Sequence, residues 1–279
     1  MRNFLVMQTD FSLKSGAVSV MHGVAYQIDP ELVVDDISHE VTKWSPYAAS
    51  ANLAYVLPYW PVGTVYVSVI DPGVGTDRRA CVAKTKNGYY IVTPDNGALT
   101  HVAQEFGIEA VRVIDETVNR FPGTEGINIF HGRDLFAYCG AKLASGKITF
   151  EEVGPEYPVD EIVMIDLPQP RVENGTVSGF IASNNANFGI NVSNIPAEML
   201  VAIDVKQGDM VHMTVTHNGK VHFDSDTLYH RSFGYVAPGE PIVYNAEGMV
   251  LGFGLNLENF MEKYQTQAGP DWVVTIRKV

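Results

Sequence analysis

Thr64-Val-Tyr-Val-Ser-Val-Ile70 runs directly into Asp71-Pro-Gly-Val-Gly-Thr-Asp-Arg78, and this junction decides the fold. The first stretch is a compact β-branched and aromatic run, which reads as a buried strand. The second opens on Asp-Pro-Gly, which ends a strand in a turn. A carboxylate therefore stands at the carboxyl end of a strand, with an arginine seven residues further on. In an open α/β sheet, ligands bind in the crevice beyond the carboxyl ends of the strands. Asp71 and Arg78 read either as an ion pair that pins a loop or as a pair that orients a reactant.

Two further apolar runs stop in the same way. Phe4–Gln8 stops at Thr9-Asp10-Phe11, and Tyr89–Thr93 stops at Pro94-Asp95-Asn96-Gly97. Helical patterns lie between them. Ala17, Val20, Met21, Val24, Ala25 and Ile28 follow a period of about 3.6 residues. Ser45-Pro46 supplies an N-cap and a first-turn proline for a helix through Ala48–Leu57. A third helix is predicted from Ala98 to Phe106, stopping at Gly107. Strands alternating with helices give a mainly parallel sheet covered on both faces, with the acidic turns along one edge. Asp10 reads as an acceptor for a sugar diol or as a cap for a helix over 14–28. Asp95-Asn96-Gly97 reads as part of a site or as a turn closing on the next helix. Phe130-His-Gly-Arg-Asp134 precedes a helical run, Leu135–Ala144, so His131 falls at or near a helix N-terminus. The helix dipole disfavours an imidazolium there and keeps the ring neutral. Asp134 reads as a helix cap and Arg133 as a solvated side chain.

The pattern changes at Leu167-Pro-Gln-Pro170, which reads as a linker. Beyond it, Gly175–Ser183, Met210–Thr216, Lys220–Phe223, Pro241–Asn245, Met249–Phe253 and Trp272–Arg277 read as strands, and His217-Asn218-Gly219 as a tight hairpin. The fold class expected is α/β: an N-terminal, mainly parallel α/β sandwich domain over 1–167, then a smaller all-β, barrel-like domain over 171–279. Phe188 and Phe233 sit among small or polar residues and read as nucleobase-stacking aromatics or as edge-of-core packing. His222, Asp224, Asp226 and His230 have a metal-like composition, but 222, 224 and 226 share one face of a strand that can simply be wet. No metal ligand is assigned.

Composition narrows the function classes. The 279 residues are 46% hydrophobic and 18% charged, which is globular, and the net charge of −13 offers no footprint for nucleic acid or an anionic membrane. Cys81 and Cys139 lack metal-type spacing and read as buried reduced thiols. No signal peptide or membrane span is read in Phe4-Leu-Val-Met7, which favours the cytoplasm, and the two glycosylation sequons at Asn174 and Asn191 read as chance. There is no P-loop, nucleophile elbow or dinucleotide fingerprint.

Thr9-Asp10-Phe11, Asp71-Pro-Gly-Val-Gly-Thr-Asp-Arg78-Arg79, Pro94-Asp-Asn-Gly97 and Phe130-His-Gly-Arg-Asp134 together resemble the S-adenosyl-L-methionine hydroxide adenosyltransferases, the adenosine-forming hydrolases related to fluorinase and chlorinase. Their order and spacing match over about the first 165 residues. The resemblance implies a homotrimer whose sites lie between the N-terminal domain of one subunit and the C-terminal domain of its neighbour. It implies that Asp71, Arg78 and His131 position a water or hydroxide that displaces methionine from C5′ of the adenosyl group, with no cofactor. The halogenases lack an aspartate at the place of Asp71, so its presence argues for water as nucleophile. Whether His131 is a base or an orienter stays open. The resemblance further implies that Asp10 holds the ribose hydroxyls and that Trp44 packs on the ligand. Phe11, Asn96 and Phe130 lie in the same motifs as substrate-binding residues, and Phe188 and Phe233 would stack on adenine.

The C-terminal motif departs from the family. Where Asp-x-Phe-Gly-Asn is expected, the chain has Asn185-Ala-Asn-Phe188-Gly-Ile190. Asn185 therefore replaces the acid that would meet the methionine ammonium. Ile190 replaces the adenine-reading asparagine, unless Asn191 substitutes. Ala246 stands where a serine is expected beside the ligand's carboxylate. The reading is a hydrolase that converts S-adenosylmethionine to adenosine and methionine. The alternatives are the same chemistry on a related 5′-substituted nucleoside, or a non-catalytic nucleoside-binding protein.

Overall fold

The computed structural model describes residues 4–279. The chain divides into two compact units, Met1–Ile165 and Asp166–Val279.

The first unit is built on a seven-stranded sheet. In chain order its elements are β1 (Phe4–Thr9), α1 (Ala17–Ile28), β2 (Val33–Ser38), α2 (Pro46–Val56), β3 (Val65–Val69), β4 (Ala80–Thr85), β5 (Tyr90–Pro94), α3 (Thr100–Glu105), β6 (Ile108–Val113), α4 (Glu116–Asn119), α5 (Tyr138–Ala144) and β7 (Glu156–Tyr157). The strand order is β2-β1-β3-β5-β4-β6-β7. Pairings from β2 through β1 and β3 to β5 are parallel, and those from β5 to β7 are antiparallel.

Alternation of side chains builds two cores on this one sheet. Leu5, Met7, Val67, Val69, Val82 and Val92 face α1 and α5, while Val6, Tyr66, Cys81, Ala83 and Ile91 face α2 and α3. Both faces are thus covered, which explains why β1 and β3 read as unbroken apolar runs. Complete burial of such side chains contributes about 1.5–3 kcal/mol each. Cys81 and Cys139 are free and buried, and burial pushes both thiols up to about 12.

Chain order reverses at β1. Its crossover through α1 leads to β2 on one side, while β3 lies on the other. Such a switch point opens a crevice at the carboxyl ends of the two central strands. Asp10 follows β1 and Asp71 follows β3, so the topology brings both acids to that crevice.

Several local expectations need correction. The first helix starts at Ala17, and its N-cap position, Gly16, makes no side-chain cap, so Asp10 does not cap it. The run after His131 is not uniformly α-helical: Gly132–Ala137 forms a π-helical segment before α5. Asp134 lies inside that segment with no exposure, paired to Arg133 rather than capping a helix.

In the second unit, β8 (Arg171–Glu173), β9 (Thr176–Asn185), β10 (Ile190–Pro196), β11 (Met210–His217), β12 (Lys220–Tyr229), β13 (Pro241–Asn245), β14 (Val250–Leu255), α6 (Phe260–Tyr264) and β15 (Gly269–Lys278) follow in order. The sheet order is β10-β14-β13-β12-β11-β15-β9-β8, and a β10–β9 pairing closes it into a seven-stranded barrel with β8 appended. Only β12 and β13 pair in parallel. The β11–β12 hairpin turns at Asn218 and Gly219, with φ of 51° and 78°, as a type I′ turn demands.

Candidate active site at the strand ends

The site begins with the short turn after β3. Asp71 O accepts the N–H of Val74 at 3.3 Å, and Gly73 O accepts that of Thr76 at 3.1 Å. Gly75 has a φ of +76°, and a Cβ there would come within 2.7 Å of the carbonyl oxygen of Asn128, so only glycine fits. This turn returns Arg78 onto Asp71. Arg78 Nε donates to both carboxylate oxygens at 3.1 and 3.0 Å, and Nη2 donates to Oδ2 at 2.6 Å. The pair is nearly dry: 4% of the Asp71 side chain and 10% of that of Arg78 are exposed.

His131 completes the group. It sits at the N-terminal boundary of the π-helical segment, and its Nδ1 lies 2.8 Å from Arg78 Nη2. On the other side of the ring, Nε2 lies 3.4 Å from Nη2 of Arg120. Burial, then the Arg78 and Arg120 charges, push the imidazole pKa below its ordinary value. The ring is therefore neutral. Both contacts come from guanidinium donors and a neutral imidazole has one acceptor nitrogen; the shorter contact gives that role to Nδ1. The sequence singled out neither Arg120 nor its partner Glu116, at 2.8 Å. Arg120 also donates to the carbonyls of Thr124 and Ile127, so it organises the segment preceding His131. Its i,i+4 spacing to Glu116 reads as an ordinary surface ion pair, and nothing in the sequence announces the contact with His131.

The remaining candidates in this unit fall into two groups. Phe11 and Phe130 meet edge to face at 5.9 Å, and Phe11 presses on Gly132, where a Cβ would come within 2.9 Å of the ring. These two rings thus belong to the same corner as His131. Asp10 Oδ2 accepts the backbone N–H of Trp44 at 3.0 Å, and the Trp44 side chain is 71% exposed. Asn96 bridges the carboxyl ends of β5 and β3, donating to Ile70 O at 3.0 Å and accepting from Ala98 N at 3.3 Å. Asp95 is held apart from the site. It accepts from Arg79, Tyr157 and the Val163 N–H, which makes it a buried structural hub.

In the second unit, Asn185 Oδ1 accepts the N–H groups of Asn187 and Phe188, so this side chain closes its own turn. Phe188 at that turn is 73% exposed. Asn191 is fully buried, 3.3 Å from Thr266 Oγ1, and its Nδ2 has no partner among the described residues. Phe233 packs on Tyr244 at 5.1 Å, and Ala246 is half-buried, its N–H bonded to Val250 O. The metal-like stretch does not converge. His222 faces Tyr264 O, while Asp224 and Asp226 both pair with His212.

An α/β unit with an acid–guanidinium–imidazole set at its switch point, followed by a closed β-barrel, defines a class of two-unit proteins with the candidate site on the first unit. A family model described as the SAM hydroxide adenosyltransferase N-terminal domain matches residues 5–154. An (R)-S-adenosyl-L-methionine hydrolase of Methanocaldococcus jannaschii is 36% identical over 187 residues, 65% of this chain and 66% of that relative, just under two thirds. A protein of the same name from Salinispora tropica is 32% identical over 240 residues, 85% of this chain and 84% of the relative. The crystal structure of a conserved protein from Thermotoga maritima aligns with a TM-score of 0.83 at 32% identity, covering 98% of this chain and all of that one. The chain belongs to the SAM hydroxide adenosyltransferase family.

Proposed function

We propose that this protein hydrolyses S-adenosyl-L-methionine to adenosine and L-methionine. The observation that carries the reading is the dry Asp71–Arg78 pair with His131 joined to it at 2.8 Å. The names of the relatives support the same reaction.

The chemistry asks little of an acid and much of positioning. A sulfonium is already a good leaving group and needs neither protonation nor a cofactor. Water attacks C5′, the C5′–O bond forms as the C5′–S bond breaks, and the C–S electron pair returns to sulfur as the neutral thioether of methionine. The water's remaining excess proton leaves to solvent. Holding a weak nucleophile in line can supply roughly 7–11 kcal/mol of the barrier. Asp71 accepts a hydrogen bond from that water, and Arg78 fixes the carboxylate with two prongs. His131 acts as an orienter rather than a base. Its Nδ1 is occupied by Arg78, and an imidazolium would place a third cation between two guanidinium groups.

The same reading extends to the substrate. Asp10 holds the ribose hydroxyls, with Phe11, Asn96, Phe130 and Trp44 around the nucleoside. Phe188 and Phe233 of a neighbouring copy supply adenine stacking in a homotrimer, and the exposure of Trp44 and Phe188 supports that arrangement. The protein works in the cytoplasm on a free small molecule. Within the described residues no helix is long and apolar enough to cross a membrane.

A second reading, the same displacement on a related 5′-substituted nucleoside, is favoured by one observation. Asn185 is committed to its own turn and Asn191 is buried, so neither offers the recognition expected of the family's acid and asparagine. Chromatography of an incubation with S-adenosylmethionine tests the first reading: adenosine and methionine accumulate together. Absence of both at high enzyme concentration, with turnover of another 5′-substituted nucleoside, would select the second.

A further inference from the structure

A cluster outside the reactive set carries an assignment of its own. His22 projects from α1, Asp36 from β2, and His39 from the loop that follows β2. Their candidate ligand atoms all lie within 4.8 Å of one another. His22 Nε2 is 2.9 Å from Asp36 Oδ1, and His39 Nε2 is 3.0 Å from the same oxygen. The second contact is not a hydrogen bond: His39 Nε2 is buried and without a hydrogen-bond partner among the described residues, although the side chain is only 3% exposed. A buried ring nitrogen left unpaired costs stability unless something else meets it.

The other ring nitrogen of His39 has an anchor of its own. Nδ1 lies 2.9 Å from Thr9 Oγ1, which also accepts the N–H of Phe11 at 3.1 Å. In the tautomer that donates Nδ1–H to Thr9, Nε2 turns a bare lone pair toward Asp36 and His22, the form that a metal ion takes up. A histidine whose distal N–H is anchored while its free nitrogen meets a second imidazole and a carboxylate is the usual arrangement around a borderline-soft cation. His22 and Asp36 are 28% and 31% exposed, which gives an ion an entry path and leaves room for water as a fourth ligand.

We propose that His22, Asp36 and His39 bind one divalent transition-metal ion of the zinc class. Tetrahedral coordination at about 2.0–2.1 Å requires ligand atoms roughly 3.3 Å apart. The two short contacts need to open by a few tenths of an ångström and His22 to swing inward, which a partly exposed side chain on a helix can do. The role is structural. Ser12 N–H donates to His39 O at 2.8 Å and Val41 N–H to Thr9 O at 3.3 Å, so an ion here would tie α1 and β2 to the strand end that carries Asp10. Two histidines on separate elements and one aspartate have no sequence spacing that reads as a motif, which is why the sequence assigned no ligand.

The full chain, stripped with chelator and then titrated with zinc chloride alone, tests the site by calorimetry and thermal unfolding. The expected result is one saturable ion per chain and a higher unfolding temperature. His22→Ala and Asp36→Asn, both at partly exposed positions, should weaken zinc binding at least tenfold and abolish the thermal gain while unfolding like wild type without zinc. His212→Ala, which removes the exposed histidine between Asp224 and Asp226, should change neither. No saturable uptake overturns the proposal, as does uptake that survives His22→Ala and Asp36→Asn or is lost only in His212→Ala.

Discussion

Asp71 shows how one residue's meaning depends on what reaches it. Paired with Arg78 alone, it is a buried ion pair of the kind that pins loops. With His131 Nδ1 joined to the same Nη2 that bonds the carboxylate, Asp71 becomes one end of an acid–guanidinium–imidazole relay. Asp71→Asn keeps the shape but removes the charge-assisted acceptor. The expected outcome is a kcat about 10²–10³-fold lower with KM little changed, the pattern for an interaction made chiefly in the transition state. Steady-state kinetics on a variant shown by thermal unfolding to be folded checks it. A matching rise in KM with kcat intact would instead assign Asp71 to substrate binding. The sequence made Asp71, Arg78 and His131 visible because each stands in a short motif at a strand or helix end. Arg120 stayed hidden because its contacts with His131 and with the Thr124 and Ile127 carbonyls form only in the fold, while Glu116–Arg120 reads as an ordinary i,i+4 ion pair.

Among the elements, α2 and α3 pack through a pair with a pH signature. His101 stacks edge-on against Tyr47 at 5.0 Å, and burial lowers its pKa to about 4. Between pH 6.5 and 4 the unfolded chain takes up a proton at this histidine that the folded chain refuses. Stability contributed by the neutral ring is therefore complete above about pH 6.5 and is lost as pH falls toward 4, by roughly 3 kcal/mol at most. His101→Phe keeps the aromatic packing and cannot titrate. Its stability relative to wild type, followed by denaturant unfolding, should rise steadily across that window; parallel pH curves would contradict the assignment. Legibility also divides by element. β1, β3 and β5 are buried on both faces and read as apolar runs. β2 is an edge strand whose middle, Asp35 and Asp36, is exposed, so its sequence looks like a loop. β10 alternates correctly, but its inward residues include Asn191 and Ser193, which disguise the period. The π-helical segment has no periodicity of its own to detect.

For the whole molecule, the legible signal is the change of pattern near Leu167, where helical periodicity gives way to short strands. The chain divides into its two units between Ile165 and Asp166. What no single chain's sequence displays is assembly. Trp44, Phe188 and Leu257 leave 71%, 73% and 85% of their surface exposed, and the homotrimer proposed above would cover the first two around the nucleoside. Sedimentation should return three times the 30.6 kDa chain mass, and Phe188→Ala should raise KM more than it lowers kcat. A monomer that turns over at full rate would remove the shared site from the account.

The central claim is that a water fixed by Asp71 opens the bond at C5′. Turnover of S-adenosylmethionine in oxygen-18 water, followed by mass spectrometry of the products, tests it most directly. The label should appear in the 5′-hydroxyl of adenosine and nowhere in methionine, at one atom per turnover. Label in any other product, or no adenosine at all, would contradict it.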